Sequence, residues 1–335
     1  MNARLSAFVD RIDRFQQRHR VVAVPLAVFK RFGEHDGGRL AATVSYYSFF
    51  SVFPLLLVFV TVLGIVLRDD PELRQDLVDG AIGQMPVIGS QLASTEALPG
   101  SGLVLVVGIA TALWAGLGAV AALQAGLDTI GDVAVHERGG AVGKKGRQVA
   151  FLVLLAIGLC VATLTANVAT LFDVGPFAGA LGLLVSTAVD AALLLMMFSV
   201  LPARRRPVRE LLPGIVVGAV LLVALQQLGS YIVRRYIAGA SDTYGTFAIV
   251  IALLSWFFLV SRVVLMSAQA NHVLADGLSP RRLRADGPVT DADRRATLLD
   301  VQRVQRDARI GYALAVEGEV ATSEDQAPTS GAAVS

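Results

Sequence analysis

The residues of this chain that could do chemistry are few, and the most telling ones sit inside apolar runs. Asp190 lies between VSTAV and AALLLMMF, and Arg262 lies within FFLVSRVVLM. Ionisable groups in hydrocarbon are costly, usually face the protein interior, and often mark a pathway or a partner. Asn167, Gln226 and Gln227 add uncharged hydrogen-bonding groups at similar depth. Such residues bind helices to one another more often than they bind a substrate. Motifs of soluble enzymes are missing. GGAVGK at 139–144 has three residues between its outer glycines where a phosphate loop has four, and Lys145 follows instead of Ser or Thr. It reads as a solvated basic loop. His19, His35, His136 and His272 are scattered, with neither HExxH nor paired cysteines, so no metal spacing is visible. His35, between Glu34 and Asp36, reads as an exposed polar turn. No catalytic residue, metal or cofactor is expected.

The elements that must carry these residues follow from composition. Hydrophobic residues make up 54% of the 335 and charged residues 17%, against roughly 25% charged in soluble proteins. Mean hydropathy is +0.62. The single Cys160 excludes an intrachain disulfide. Crossing a bilayer takes about 20 mostly apolar residues, and six segments qualify: 41–67, 103–127, 149–171, 178–201, 212–233 and 247–269. In lipid each backbone amide must be satisfied within its own segment, so these are helices. The alternating ten-residue strands of a β-barrel do not occur. The expected fold is therefore all-α, a polytopic membrane protein with six transmembrane helices. Residues 1–40 form an N-terminal region, 41–270 the membrane domain, and 271–335 a tail.

Lysine and arginine orient the bundle. With residues 1–40 inside, the inner segments hold 24 of the 29 Lys and Arg, and the outer ones hold Arg68, Arg74, Arg234 and Arg235. Cytoplasmic loops keep that excess, so both termini are expected in the cytosol, with 68–102 as the one large extracytoplasmic segment. The net charge of +2 gives no sign of a nucleic-acid partner. Residues 1–40 lack the apolar core and cleavage site of a signal peptide. Val21–Phe32 reads either as a helix lying on the membrane surface or as a cytosolic turn. In the tail, Asp291–Ile310 suggests a short helix, and Val316–Ser335 reads as disordered.

Asp190 and Arg262 lie at depths differing by three or four residues, about 5 Å at the helical rise. Two readings stay open: a salt bridge between them, or Arg262 snorkelling to the cytoplasmic face while Asp190 is protonated or capped by water. GPFAG at 175–179 and GIVVG at 214–218 fit the small-xxx-small packing pattern, which is compatible with a homo-oligomer. Pro54 removes a backbone hydrogen bond in the first span, leaving a carbonyl for Ser51 or water to meet.

The first-span run RLAATVSYYSFFSVFPLLLVFV, with Tyr46, Tyr47, Ser48 and Pro54, resembles the signature of the YihY/BrkB membrane proteins. Tyr244 and Gly245, in a turn ahead of the sixth span, and Trp256 within it fit the same family. The resemblance covers about 28–275, and the charged tails are similar to its YhjD-like branch. It implies a six-helix bacterial inner-membrane protein with cytosolic termini and membrane lipids as partners. Family members are linked to serum resistance and to movement of envelope lipids, and some carry an old ribonuclease BN label. Two departures stand out. Ser267-Ala268-Gln269 replaces the usual Gly-Ala-Glu, and Asp128 stands where Asn is usual. The ribonuclease label finds no carboxylate or histidine cluster in the sequence to hold metal ions. A transporter or flippase-like role for a lipid or other envelope component is expected, ahead of a non-transporting envelope scaffold. An intramembrane enzyme comes third.

Overall fold

The computed structural model describes residues 3–66, 102–169, 178–232, 241–283, 287–307, 313–316 and 319–322. Nine α-helices are described, in chain order α1 (Ala3–Arg18), α2 (Arg20–Glu34), α3 (Gly37–Val66), α4 (Gly102–Ile130), α5 (Ala141–Ala169), α6 (Ala178–Val200), α7 (Val208–Ile232), α8 (Ser241–Ala275) and α9 (Asp291–Arg303). Each expected span falls on one of α3 to α8. Four of these helices are long and apolar enough, among the described residues, to cross a membrane: Val106–Ile130, Leu181–Val200, Val208–Gly229 and Val250–Ala275. The far parts of α3 and α5 and the expected segment 68–101 lie outside the residues whose surroundings are described.

Helices outrun the spans at one end. α5 begins at Ala141, ahead of the expected Val149, and α8 continues to Ala275 beyond Gln269. Hydropathy marks only the stretch that lipid would cover, whereas the backbone hydrogen-bond ladder continues into the polar turns. Tyr244 and Gly245 accordingly lie within α8 and not in a turn before it. The starts of α3, α5 and α7 meet the ends of α4, α6 and α8 at this end. Phe32, Leu127, Phe198, Leu201, Leu211 and Ala268 share its buried core.

Val21–Phe32 is helical as part of α2. Its stripe of Ala27 and Val28 packs on Val273 of α8, on Leu278 just after that helix and on Ala296 of α9. The tail helix α9 starts where its sequence dictates. Thr290 accepts from the Asp293 N–H at 3.1 Å while the Asp293 carboxylate accepts from the Thr290 N–H at 3.2 Å, a reciprocal capping box. Of the segment Val316–Ser335, expected to be disordered, only Val316 and Glu319–Thr322 are described, and Ala313–Val316 pairs antiparallel with Glu319–Thr322. Val316, Val320 and Thr322 are the β-branched positions that favour a ladder in these four-residue runs.

Pro54 and Pro213 both lie inside helices. Ser51 does not serve the carbonyl freed by Pro54, because its hydroxyl donates to Ser48 O at 2.7 Å. Near Pro213 the Gly214 N–H leaves the helical ladder and donates to Asn271 Oδ1 at 2.6 Å. A Cβ on Gly214 would strike the Ser267 carbonyl, and one on Gly218 would lie 2.7 Å from Ser267 Oγ and 2.8 Å from Leu194 Cδ1. The GIVVG pattern is thus an intrachain crossing of α7 over α8. Its partner helix is supplied by the same chain.

Candidate functional site: a buried polar belt at one end of the bundle

Arg31 is the centre of the belt. It ends α2 with its side chain fully buried, and its Nη2 donates to Asp132 Oδ1 at 2.8 Å. Nη1 donates to Asp300 Oδ2 at 2.8 Å and to Glu34 Oε2 at 3.2 Å. Asp132 reaches it because the chain turns sharply after α4. Asp132 has φ 51, a left-handed conformation that Asp tolerates, and the Val133 N–H folds back to Asp128 O. Asp300 arrives from α9. One guanidinium therefore joins the N-terminal region, the α4–α5 link and the tail.

His35 completes the centre, and the sequence reading of it was an exposed turn. It is 3% exposed, with Nε2 2.9 Å from Asp132 Oδ1 and Nδ1 2.9 Å from Gln269 Oε1. The local polar neighbours Glu34 and Asp36 hid a side chain aimed back at the ends of α4 and α8. Gln269 is fully buried, and its Nε2 has no partner. Turning that amide over would present an N–H to His35 Nδ1, so the contact survives with His35 as either donor or acceptor. A family-typical Glu at 269 would instead place a second carboxylate against His35.

Burial alone would raise the Asp132 carboxyl, but His35 and Arg31 outweigh it and hold Asp132 below the ordinary carboxylate range. Burial likewise works against the Arg31 charge, and Asp132 and Asp300 more than compensate, so Arg31 stays protonated. A second ring of ion pairs lies outside this centre. Arg281 grips Glu34 with Nη1 and Nη2 at 3.0 and 2.8 Å and donates from Nε to Asp293 Oδ1 at 2.8 Å. Despite the opposing effect of burial, Arg281 and Thr290 keep the Asp293 carboxyl well below its usual range.

His35, Asp132 and Asp300 offer ligand atoms within 4.8 Å of one another, the geometry of a cation site. The expectation that no histidine–carboxylate cluster exists is corrected by this grouping, which sequence spacing could not show. The cation position, however, is filled by the chain itself. Arg31 bonds both carboxylates, and both His35 nitrogens have partners. The arrangement clamps segments together through Asp132 Oδ1, while the buried Asp132 Oδ2 has no hydrogen-bond partner among the described residues.

A neighbouring part of the belt ties the α6–α7 link. Asp128 Oδ1 accepts the Ala203 N–H at 2.8 Å, Gln124 Nε2 donates to Leu201 O at 2.9 Å, and Gln148 of α5 donates to Gln124 Oε1 at 2.7 Å. Asp128, the other departure from the family pattern, thus holds a loop backbone.

The membrane-depth candidates behave differently. Asp190 of α6 meets Gln226 of α7, whose Nε2 donates to Oδ2 at 3.1 Å. Asp190 is half-buried, while Gln226 and Gln227 are exposed. The Asp190–Arg262 pair does not form. Arg262 is exposed on α8, and it has no ion-pair partner among the described residues. α6 packs on α7, and α7 packs on α8, so α7 stands between the two charges. The side chain of Asn167 lies outside the described residues. Among the family-motif positions, Tyr47 lies over Gly118 of α4, Tyr46 faces outward at 54% exposure, and the Trp256 ring fills the space left by Gly229 of α7. Ser48 supplies the carbonyl that Ser51 uses. The side chains of Tyr244 and Gly245 are not among those described.

A family model described as Virulence factor BrkB matches residues 28–288. A Bacillus subtilis (strain 168) protein named as ribonuclease-like, YfkH, is 27% identical over 278 residues, which is 74% of this chain and 93% of YfkH. The inner membrane protein YhjD of Escherichia coli (strain K12) is 32% identical over 105 residues, covering 30% of this chain and 31% of YhjD. No solved structure matches.

Proposed function

The chain belongs to the BrkB virulence-factor family, and from that premise we propose that it is a multi-pass bacterial inner-membrane protein that moves a lipid or another amphiphilic envelope component. α3 to α8 cross the bilayer six times, with both termini and the polar belt in the cytoplasm. The lysine and arginine distribution supports that orientation, and the packing of α2 on α9, which puts both ends on one side, supports an even number of crossings. YhjD, named as an inner membrane protein, supports the compartment.

Asp190 is the observation that carries the transport reading. It is a carboxylate at mid-span, hydrogen-bonded to one amide of the adjacent helix and only half-buried by its own bundle. A charge retained in that position is expensive unless it meets a polar passenger, a proton or water. The belt then acts as the closed cytoplasmic end of the path. No enzymatic step is assigned to the chain, and the ribonuclease-like name of YfkH stays with YfkH. The scaffold reading draws on that same closed end, whose ion pairs bind the N-terminal and C-terminal regions into one body.

The test is a reconstituted vesicle assay. Fluorescent phosphatidylglycerol in the outer leaflet is bleached by an impermeant reductant, and the unbleached fraction reports movement between leaflets. Vesicles containing the protein should lose fluorescence beyond the one-leaflet limit, and Asp190→Asn should suppress this without loss of folded protein. Identical traces for empty, wild-type and Asp190→Asn vesicles would favour the scaffold.

A further inference from the structure

Two buried nitrogens at the end of the bundle have no acceptor among the described residues. They are Asn271 Nδ2 and Arg206 Nε, and their residues, with His272, line one recess between the end of α4, the α6–α7 link and the end of α8; His272 Nδ1 itself faces Asp276 Oδ2 at 3.8 Å. Phe198 and Leu211 form its apolar wall. Asn271 is 1% exposed, and its Oδ1 is committed to the Gly214 N–H. Its amide hydrogens therefore have nothing to donate to among the described residues. Amide and guanidinium N–H groups can only donate. Buried donors without acceptors are costly, so the recess is short of oxygen.

The acids nearby are already matched. Arg206 Nη2 donates to both oxygens of Asp276 at 2.9 and 2.8 Å, and Nη1 reaches Glu210 Oε2 at 3.4 Å. Although burial alone would raise it, His272 and Arg206 hold the Asp276 carboxyl below its usual range. At the mouth, Arg204 is exposed and has no ion-pair partner among the described residues, and Arg205 on the same link and Arg209 in the first turn of α7 are exposed too. The water-accessible space is about 20 Å³, enough for one oxygen-sized group with the rest of the ligand outside. Because α6 and α8 end here and α7 begins here, the mouth lies at the level of lipid headgroups.

We propose that this recess binds a phosphate-type anion, one oxygen of which takes the free donors of Asn271 and Arg206 while Arg204 pairs with the remaining charge. A guanidinium is suited to that role by its flat array of donors, and an exposed cluster of arginines at a membrane boundary attracts anionic headgroups. The site does not depend on the transport reading. A protein that only anchors other components could hold the same anion.

The full-length protein in a neutral detergent and phosphate-free buffer tests this, with the thermal midpoint followed by tryptophan fluorescence. Inorganic phosphate is titrated against chloride at constant ionic strength, and mixed micelles with phosphatidylglycerol are compared with micelles containing diacylglycerol. Phosphate, phosphatidylglycerol or both should raise the midpoint saturably, and chloride and diacylglycerol should not. Arg204→Gln should weaken the apparent affinity about tenfold, the loss of one charge-assisted hydrogen bond. Asn271→Asp keeps the acceptor for Gly214 but sets a carboxylate against the anion, so it should abolish the shift. If Asn271→Asp does not fold, the exposed Arg204→Gln decides alone. A shift with phosphatidylglycerol only assigns the anion to a headgroup, and one with phosphate only to a free ion. No saturable shift with either, or the same shift in Arg204→Gln as in the wild type, overturns the proposal.

Discussion

Arg31→Met tests whether the clamp holds this end of the bundle together. The Arg31 side chain is 0% exposed and that of Asp132 2% exposed, whereas Asp300 is 38% exposed. Loss of the guanidinium leaves Asp300 free to rehydrate, so most of the penalty falls on Asp132. Breaking a buried pair by removing one partner costs about 3–5 kcal/mol. His35 still donates to Asp132 Oδ1 at 2.9 Å, which places the expected loss near the lower bound, roughly 3 kcal/mol. Asp132→Asn should cost about as much, because Arg31 keeps Asp300 and Glu34 but loses its fully desolvated partner. The double variant leaves no unpaired buried charge at that contact, so the coupling between the two changes should be roughly 1–3 kcal/mol. Urea unfolding in a mild detergent, followed through Trp114 and Trp256, measures each value. Losses below roughly 0.5 kcal/mol, the range of ordinary surface changes, or strictly additive ones, would refute the reasoning.

Three further outcomes follow from the same geometry. Gly218→Leu forces a side chain against Ser267 and Leu194 at the α7–α8 crossing, and unfolding should show a loss of roughly 1–3 kcal/mol, whereas Gly143→Leu, at a position with nothing within 4 Å, should cost far less. The pKa of Asp132 is lowered in the folded state, so the stability it contributes is present above about pH 4, the unfolded value, and is lost as pH falls toward the folded one. The gap in midpoint between wild type and Asp132→Asn should therefore be wide between pH 8 and 5 and close as the pH falls below about 4; a gap that persists in acid would contradict this. Purified protein should not hydrolyse RNA with or without divalent metal, and activity that co-purifies and vanishes in Asp132→Asn would overturn that expectation.

The helices were legible, and four of them qualify as spans, because a membrane helix is a local property: a run of about 20 apolar residues declares itself. The clamp was not, because its contacts join residues far apart in the chain. His35 lies 97 residues from Asp132 and 234 from Gln269. Each of those residues looks like an ordinary loop or helix-end polar group by itself. Gln269 and Asp128 did carry a signal, since both depart from the family pattern, and both prove to be buried hydrogen-bonding residues of the belt. Asp190 was found by depth, and its partner was not. Depth along a span fixes height but not the direction around the helix, and α7 supplied Gln226 where Arg262 was at matching height. The tail hairpin was hidden by a composition that favours neither helix nor strand strongly.

Everything assigned to the belt depends on the side of the membrane it faces, and cysteine accessibility reads that directly. In a Cys160→Ser background, Met85→Cys and Arg205→Cys each provide one thiol, in the segment between α3 and α4 and in the α6–α7 link. An impermeant maleimide added to intact spheroplasts should label position 85 and spare 205 until the membrane is opened. Labelling of 205 from outside, with 85 protected, would place the belt on the wrong face and contradict the six-crossing arrangement with a cytoplasmic closure.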